Sequence, residues 1–446
     1  MQEKPASVSV GARQVGEAHE AGERRSRWAW VEASVWTDRM LAALENGVKG
    51  GVWFSLIDKV YNPKNLWSAW CATARNEGSA GVDDVTIRQY ERDVETNLQW
   101  LAGELRLGEY QPDAIRRAYI RKSDGTPRPL GIPTVRDRIV QGAILHAIEP
   151  IFEQQFAAHS YGFRPGRSCR HALKRVQELL DDGHYYVVDA DLKSYFDTIP
   201  HQKLMEQVQK HVADGRVLKL IESFLEAKIM EDLSQWTPTA GAPQGAVLSP
   251  LLSNIYLNPL DHQMEAAGYQ MVRYADDFVI LCKTKEQAQS ALDAVAAWTA
   301  QAGLTLHPHK TRIVDSRVEA FEFLGYRFER GRRWPRNKSM AKLREAIRAK
   351  TRRANGRSLS AIIADVNRTL RGWFGYFKHS HKTTFPAVDG WVRGRLRSLL
   401  RRRHNRRGKA KGKDHQRWPN AYFADEGLYT LTKAHARARQ SMKMVH

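Results

Sequence analysis

The sequence predicts an α/β (α+β) body built round an antiparallel hairpin and followed by a helical, cationic C-terminal region. Three observations carry that expectation. Two short β-prone apolar runs, Met271–Tyr274 and Phe278–Leu281, flank Ala275-Asp276-Asp277, a break that suits a tight hairpin. A third β-rich run, beginning at Tyr185, ends in acids at Asp189 and Asp191. Later in the chain, apolar and basic residues recur at helical spacing through SMAKLREAIRAKTRRAN (339–355) and LSAIIADVNRTLRGWFGYFK (359–378), which predicts two amphipathic helices.

A hairpin over 271–281 lifts Asp276 and Asp277 to its tip and buries both legs. Two adjacent carboxylates repel, so a fold that builds them there invites a divalent cation between them. The plain alternative is a surface acidic pair. In YYVVDADLKSYFD (185–197), period-two alternation puts Asp189 and Asp191 on one face, with Asp191 closing the strand. The alternative here is a strand ending in solvated acids. One strand-end carboxylate plus a hairpin pair is the donor set that two-metal phosphoryl transfer needs, with ions about 4 Å apart. Oxygen-only ligands favour Mg2+, and no Cys/His cluster in the sequence competes as a zinc site.

These two acidic motifs resemble the catalytic motifs of reverse transcriptases, and further blocks follow the family order. RKSDGTPRPLGIPTVRDRIVQ (121–141) resembles the fingers block, and SYGFRPGRSCRHAL (160–173) the block after it. GAPQGAVLSPLLSNIYLNPLD (241–261) is similar to the PQG block, GLTLHPHKT (303–311) to the motif after the hairpin, and FEFLGYRF (321–328) to the primer grip. LRGWFGYFKH (370–379) resembles the maturase region of bacterial group II intron-encoded proteins, and GSAGVDDVTIRQYERDVETNLQWL (78–101) an N-terminal block of that group, with a helix starting near Thr86. The resemblance implies a right-hand polymerase of fingers, palm and α-helical thumb. It implies RNA-directed DNA synthesis with two Mg2+ on Asp191, Asp276 and Asp277, and a maturase role in which the protein binds intron RNA to assist splicing and mobility.

Several single residues acquire expected roles from the same resemblance. Gly125, Pro127 and Pro129 punctuate a hairpin between Tyr119–Lys122 and Arg128–Ile132. Lys122 and Arg128 would converge there on the phosphates of the incoming nucleotide, with Arg121 as a third member. Arg offers a bidentate fork and Lys a point charge. Phe196 falls where the family places its sugar gate, a ring that excludes a 2′-hydroxyl; read without the resemblance it is a core phenylalanine. Gln244 would line the nucleotide pocket and Gly245 would let the backbone approach the base pair. Ala242 stands where the family more often has Thr. Lys310 resembles the lysine that approaches the leaving phosphate as a general acid. Arg164 and Arg167, interleaved with Phe163 and Pro165, suit a template strand. Arg371 and Trp373, within the maturase block, are expected on RNA. His171 is expected on a helix surface.

Charge sharpens the division of labour. The 446 residues carry a net +21, but residues 331–446 hold 31 Lys/Arg against 6 Asp/Glu, while the first 330 hold 39 against 43. A near-neutral body is thus joined to a cationic appendage, the pattern of a nucleic-acid surface. A membrane surface is the competitor, but no lipidation signal or amphipathic anchor accompanies it. Three scattered cysteines, Cys71, Cys169 and Cys282, fit a reducing compartment, and the polar N-terminus shows no signal pattern, so the expected location is the cytoplasm. Six of the thirteen tryptophans lie between Trp28 and Trp70, for core packing or for base stacking. The expected domains are an N-terminal extension over 1–55 (partly disordered), fingers and palm over 56–330, a helical thumb/maturase domain over 331–400 and a basic DNA-binding region over 401–446. The expected partners are group II intron RNA, an RNA template with a DNA primer, dNTPs and target DNA, with no membrane. The absence of cysteine after Cys282 predicts no endonuclease module, so a DNA 3′-end would come from elsewhere. A domesticated enzyme in a phage-defence or retron-like system, or a splicing-only RNA-binding maturase, are the alternatives.

Overall fold

The computed structural model describes residues 22–48, 50–121, 125–232, 234–352, 356–406 and 412–443. The chain divides into two compact units. One is formed by the chain up to Val176 with Ala190–Ile280 and Glu286–Arg312, the other by Gln177–Asp189, Leu281–Lys285 and the chain from Ile313.

In the first unit, Asn62 caps α1 (Pro63–Arg75), accepting from the Lys64 N–H at 2.9 Å, with Pro63 preset for the first turn. Its apolar face, Leu66, Ala69 and Trp70, packs on α2 (Val135–Glu153), where Gly142 leaves room for Ala69. Thr86 starts the predicted helix (Ile87–Arg92) through a capping box with Gln89. Of the six clustered tryptophans, Trp28, Trp36 and Trp70 are buried in the core, Trp53 is part-buried, and Trp30 and Trp67 are exposed.

Two β structures complete this unit. β1 (Ile115–Arg121) and β2 (Pro127–Ile132) are antiparallel with Ile120 opposite Arg128. β4 (Ile229–Glu231) joins β1 in parallel and pairs with β5 (Ser234–Trp236), giving the order β2-β1-β4-β5. The predicted acidic hairpin is present as β6 (Gln270–Tyr274) and β7 (Asp277–Cys282), its legs buried except at the ends. Helix α3 (Ser249–Ala266) follows the PQG segment.

In the second unit β3 (Tyr186–Ala190) lies beside β8 (Arg312–Asp315), and β9 (Phe321–Phe323), β10 (Tyr326–Glu329) and β11 (Arg332–Pro335) form an antiparallel meander. The two predicted amphipathic helices are α4 (Asn337–Lys350) and α5 (Leu359–Phe377), joined by α6 (Thr384–Arg403) and α7 (Leu431–Lys443). Their apolar faces close one core through Leu343, Ile347, Val366, Leu370, Leu396 and Leu431. Part of the basic run in α6 is internal. Arg397 is buried and donates to the Trp418 carbonyl and Asn420 Oδ1 at 2.8 Å each, and Arg401 pairs with buried Asp414 at 2.7 Å. No helix of the described residues is long and apolar enough to cross a membrane.

Candidate active site

The acidic turn is held from beneath. Ala275 takes a left-handed conformation (φ 59°), which lets the chain reverse between Tyr274 and Asp277. Its carbonyl accepts from Arg273 at 2.9 Å, and Arg273 is fully buried. That guanidinium also forks onto Asp261 of α3 at 2.8 and 3.0 Å and donates to Asn254 Oδ1 at 2.9 Å. The Asn254 amide in turn donates to the Gly162 carbonyl at 2.8 Å. Gly162 lies flat against the turn, since a Cβ there would stand 2.1 Å from the Ala275 nitrogen. Residues 159–161 run parallel beside β6, with Tyr161 N–H on the Arg273 carbonyl and Arg273 N–H on the His159 carbonyl. None of Arg273, Asp261, Asn254 or Gly162 stands out in the sequence as a functional residue. The one available signal is an arginine inside the apolar run MVRY, which a buried strand tolerates only with a partner.

At the tip, Asp276 occupies the turn and Asp277, exposed, is the first residue of β7. Burial raises the Asp276 carboxyl above its ordinary value; Arg128 and Arg273 draw it back, and repulsion from Asp191 pushes it further up. The upstream acid and the hairpin therefore meet electrostatically. Asp191 lies one residue beyond β3 rather than closing it. The chain has changed partners there, with the Asp191 carbonyl accepting from His307 N–H at 2.7 Å and Leu192 bridging Leu306. One turn on, Lys310 Nζ sits 2.8 Å from Asp191 Oδ2. Among the described residues no group of three acidic, His or Cys side chains is closed into a ready-made metal cage. Asp191, Asp276 and Asp277 offer carboxylate oxygens only, the donor chemistry that suits a hard divalent cation.

Three of the expected nucleotide residues are brought together. Arg128 Nε donates to Gln244 Oε1 at 2.7 Å, and the Gln244 carbonyl accepts from Gly131 N–H at 2.7 Å, fastening the PQG loop to β2. Phe196, 8% exposed, shares with Gln244 a cavity of about 420 Å3 that is also lined by Arg117, Leu130, Gly131 and Trp236. The Phe196 carbonyl accepts from Ala242 N–H at 2.7 Å, so both motifs shape one wall. Gly245 (φ 108°) serves loop packing in this structure, because a Cβ there would meet the Gly131 carbonyl oxygen at 2.5 Å. Lys122 lies outside the described residues.

The expected RNA contacts separate. Arg164 turns inward: it is 7% exposed, its fork spans both Glu153 oxygens at 3.0 and 3.1 Å, and it donates to the Ala157 and Ser160 carbonyls. A guanidinium consumed in this way props the loop and has no face left for a template strand. Arg167, part-exposed over the Tyr161 ring at 5.5 Å, and exposed Phe163 remain on the accessible side. In the second unit, Arg371 is exposed and lies over the Tyr429 ring at 5.4 Å, whereas Trp373 packs against Phe377 and the helical core.

Comparison with known proteins adds two matched stretches. The family described as reverse transcriptase (RNA-dependent DNA polymerase) matches residues 120–328, and the group II intron, maturase-specific domain matches residues 340–418. The chain is 36% identical over 318 residues to Protein YkfC of Escherichia coli (strain K12), covering 62% of this chain and 83% of that one. It is 39% identical over 189 residues to group II intron-encoded protein LtrA of Lactococcus lactis subsp. cremoris, covering 42% of this chain and 31% of LtrA. Over 269 residues it is 29% identical to an uncharacterized 91 kDa protein in the cob intron of Schizosaccharomyces pombe, covering 47% of this chain and 33% of that one. The chain thus spans most of the first relative and about a third of the other two.

Proposed function

The chain belongs to the reverse transcriptase and maturase family of group II introns, an RNA-directed DNA polymerase joined to an intron-RNA-binding domain, and from that premise we propose how its residues divide the work. Asp191, Asp276 and Asp277 are the ligands of two Mg2+ ions. When bound, the ions supply Lewis-acid polarisation of a primer 3′-oxygen and of the departing phosphate oxygens. What supports this reading is the turn that a buried arginine holds beneath Asp276, together with the like-charge influence on that carboxyl of Asp191, 85 residues away in sequence.

The remaining groups position a deoxynucleoside triphosphate. Arg128, fixed by Gln244, presents its guanidinium to the phosphates, together with Arg121 of the same hairpin, and Lys122 is assigned the same role from the sequence alone. The Phe196 ring closes the pocket beneath the sugar and excludes a 2′-hydroxyl. Lys310 holds a proton at Nζ for the leaving pyrophosphate. Arg167 lies along the RNA template, and Arg371 faces intron RNA from a rigid helix, a surface suited to shape and phosphate recognition of A-form RNA. Fingers and palm occupy 56–330, the thumb and maturase domain 331–400 and a DNA-binding region 401–446, with target DNA and a DNA primer as further partners in the cytoplasm. Primer extension on an RNA template tests the assignment: Asp276→Ala abolishes synthesis while intron-RNA binding persists. Equal extension by wild type and variant would overturn it.

A further inference from the structure

The Lys310–Asp191 ion pair is built into the fold. Residues 305–307 run antiparallel to 191–193 through two main-chain hydrogen bonds that enclose the Leu192–Leu306 bridge: Lys193 N–H to the Thr305 carbonyl at 2.9 Å and His307 N–H to the Asp191 carbonyl at 2.7 Å. The chain then coils, with Lys310 N–H and Thr311 N–H both directed to the His307 carbonyl, and this short turn returns the Lys310 side chain to Asp191 Oδ2. Backbone hydrogen bonds thereby place the Lys310 backbone within side-chain reach of Asp191. The carboxylate so neutralised is one of those assigned to a divalent cation, and both partners remain accessible, at 60% and 32% exposure. A carboxylate oxygen cannot be fully shared between an ammonium and a hard cation. Each weakens the other's hold by charge and by occupancy.

We propose that Lys310 is the resting counter-ion of Asp191, and that loading a divalent cation exchanges the ammonium for the metal and frees Lys310 for a substrate phosphate. This rests on the assignment of Asp191 and Asp276 as metal ligands. The exchange couples two events that catalysis needs together. The ammonium offsets one carboxylate charge before a cation binds, and the proton donor becomes available only once a cation is in place. An exposed ion pair is weak and readily broken, so the exchange is reversible at ordinary cation concentrations.

The test uses the full chain and Mn2+ as the probe, read by the paramagnetic signal of the free ion. Lys310→Gln binds Mn2+ about two- to fivefold more tightly than wild type, the scale of an exposed ion pair. Lys193→Gln removes an equal charge two residues from Asp191 and shifts binding by less than half that factor. A second readout is acylation of Lys310 by an N-hydroxysuccinimide ester, followed by mass spectrometry. Mg2+ raises the labelling of Lys310 in wild type and leaves it unchanged in Asp276→Asn, while Asp191→Asn labels strongly without metal. Mn2+ binding that is equally tight in wild type and Lys310→Gln, or equally tightened by Lys193→Gln, overturns the exchange and leaves the metal assignment standing. Mn2+ binding that Asp276→Asn does not weaken overturns the assignment itself.

Discussion

Gly162→Ala should disable the enzyme without unfolding it. The glycine packs flat on the acidic turn, and its missing Cβ would stand 2.1 Å from the Ala275 nitrogen and 2.8 Å from the Tyr274 carbonyl carbon. Ordinary contact begins at 3.4 Å, so one of the two segments must retreat by about 1 Å. Neither retreats freely. The 159–161 segment is hydrogen-bonded along β6, and the Gly162 and Ala275 carbonyls are tied to Asn254 and Arg273. The displacement therefore passes into the turn that carries Asp276. Overpacking of this kind costs roughly 1–3 kcal/mol of stability. A misplacement of about 1 Å at a reacting centre costs on the order of a hundredfold in turnover. Steady-state primer extension gives kcat, and urea unfolding gives the stability, with Gly103→Ala as the control because nothing lies within 4 Å of a Cβ there. A Gly162→Ala protein that folds and keeps kcat within threefold of wild type would refute the claim that this contact sets the turn.

Arg273→Leu leaves Asp261 buried without its fork and should lower unfolding free energy by about 3–5 kcal/mol; a loss below 1 kcal/mol would show that the pair carries no structural weight. Phe196→Ala opens the cavity wall that the ring forms; on the proposed sugar-gate role, the preference for deoxynucleotides over ribonucleotides should fall roughly ten- to a hundredfold in single-nucleotide incorporation. An unchanged preference would return Phe196 to an ordinary core role. Two buried carboxyls should each take stability away as pH rises from about 5 to 7.5, opposed by His146, His211 and His435, which burial holds below the ordinary imidazole value. Burial, reinforced by Glu153, pushes Glu149 up to about 7, and burial pushes Asp137 up to about 6. The folded chain keeps these protons where the unfolded chain has released them, so unfolding is favoured across the window, by at most about 1.4 kcal/mol per pH unit for each group. Carboxylates held low by partners, such as Asp315 and Asp365, lose their contribution only below this range. Glu149→Gln should flatten the slope of melting temperature against pH between 5 and 7.5, and an unaltered slope would count against its buried proton.

Much of the site was legible in residue order, for a physical reason. Alternation and apolar run length act along a single element, so MVRYADDFVIL specified its own hairpin and the two carboxylates at its end. The Thr86 capping box, the strand leading to Asp191 and the amphipathic helices 337–350 and 359–377 are local in the same sense. Arg164 shows where that reading stops. Basic residues beside an aromatic look alike whether they face a template or a buried Glu153, and only the packing of the loop on α2 settled which. Gly245 is similar: the need for a close backbone approach could be anticipated, with a base pair as the neighbour, but the contact found, with Gly131, could not.

By itself the sequence determined the elements, the acidic groups they carry and the cationic bias of the last quarter. Tertiary structure alone decided what those groups touch. Arg273 reaches Asp261 across 12 residues, Asn254 reaches Gly162 across 92, and Lys310 reaches Asp191 across 119. Such contacts follow from how separate elements are stacked, and the stacking is set by burying all their apolar faces at once. No repeat along the chain encodes that sum.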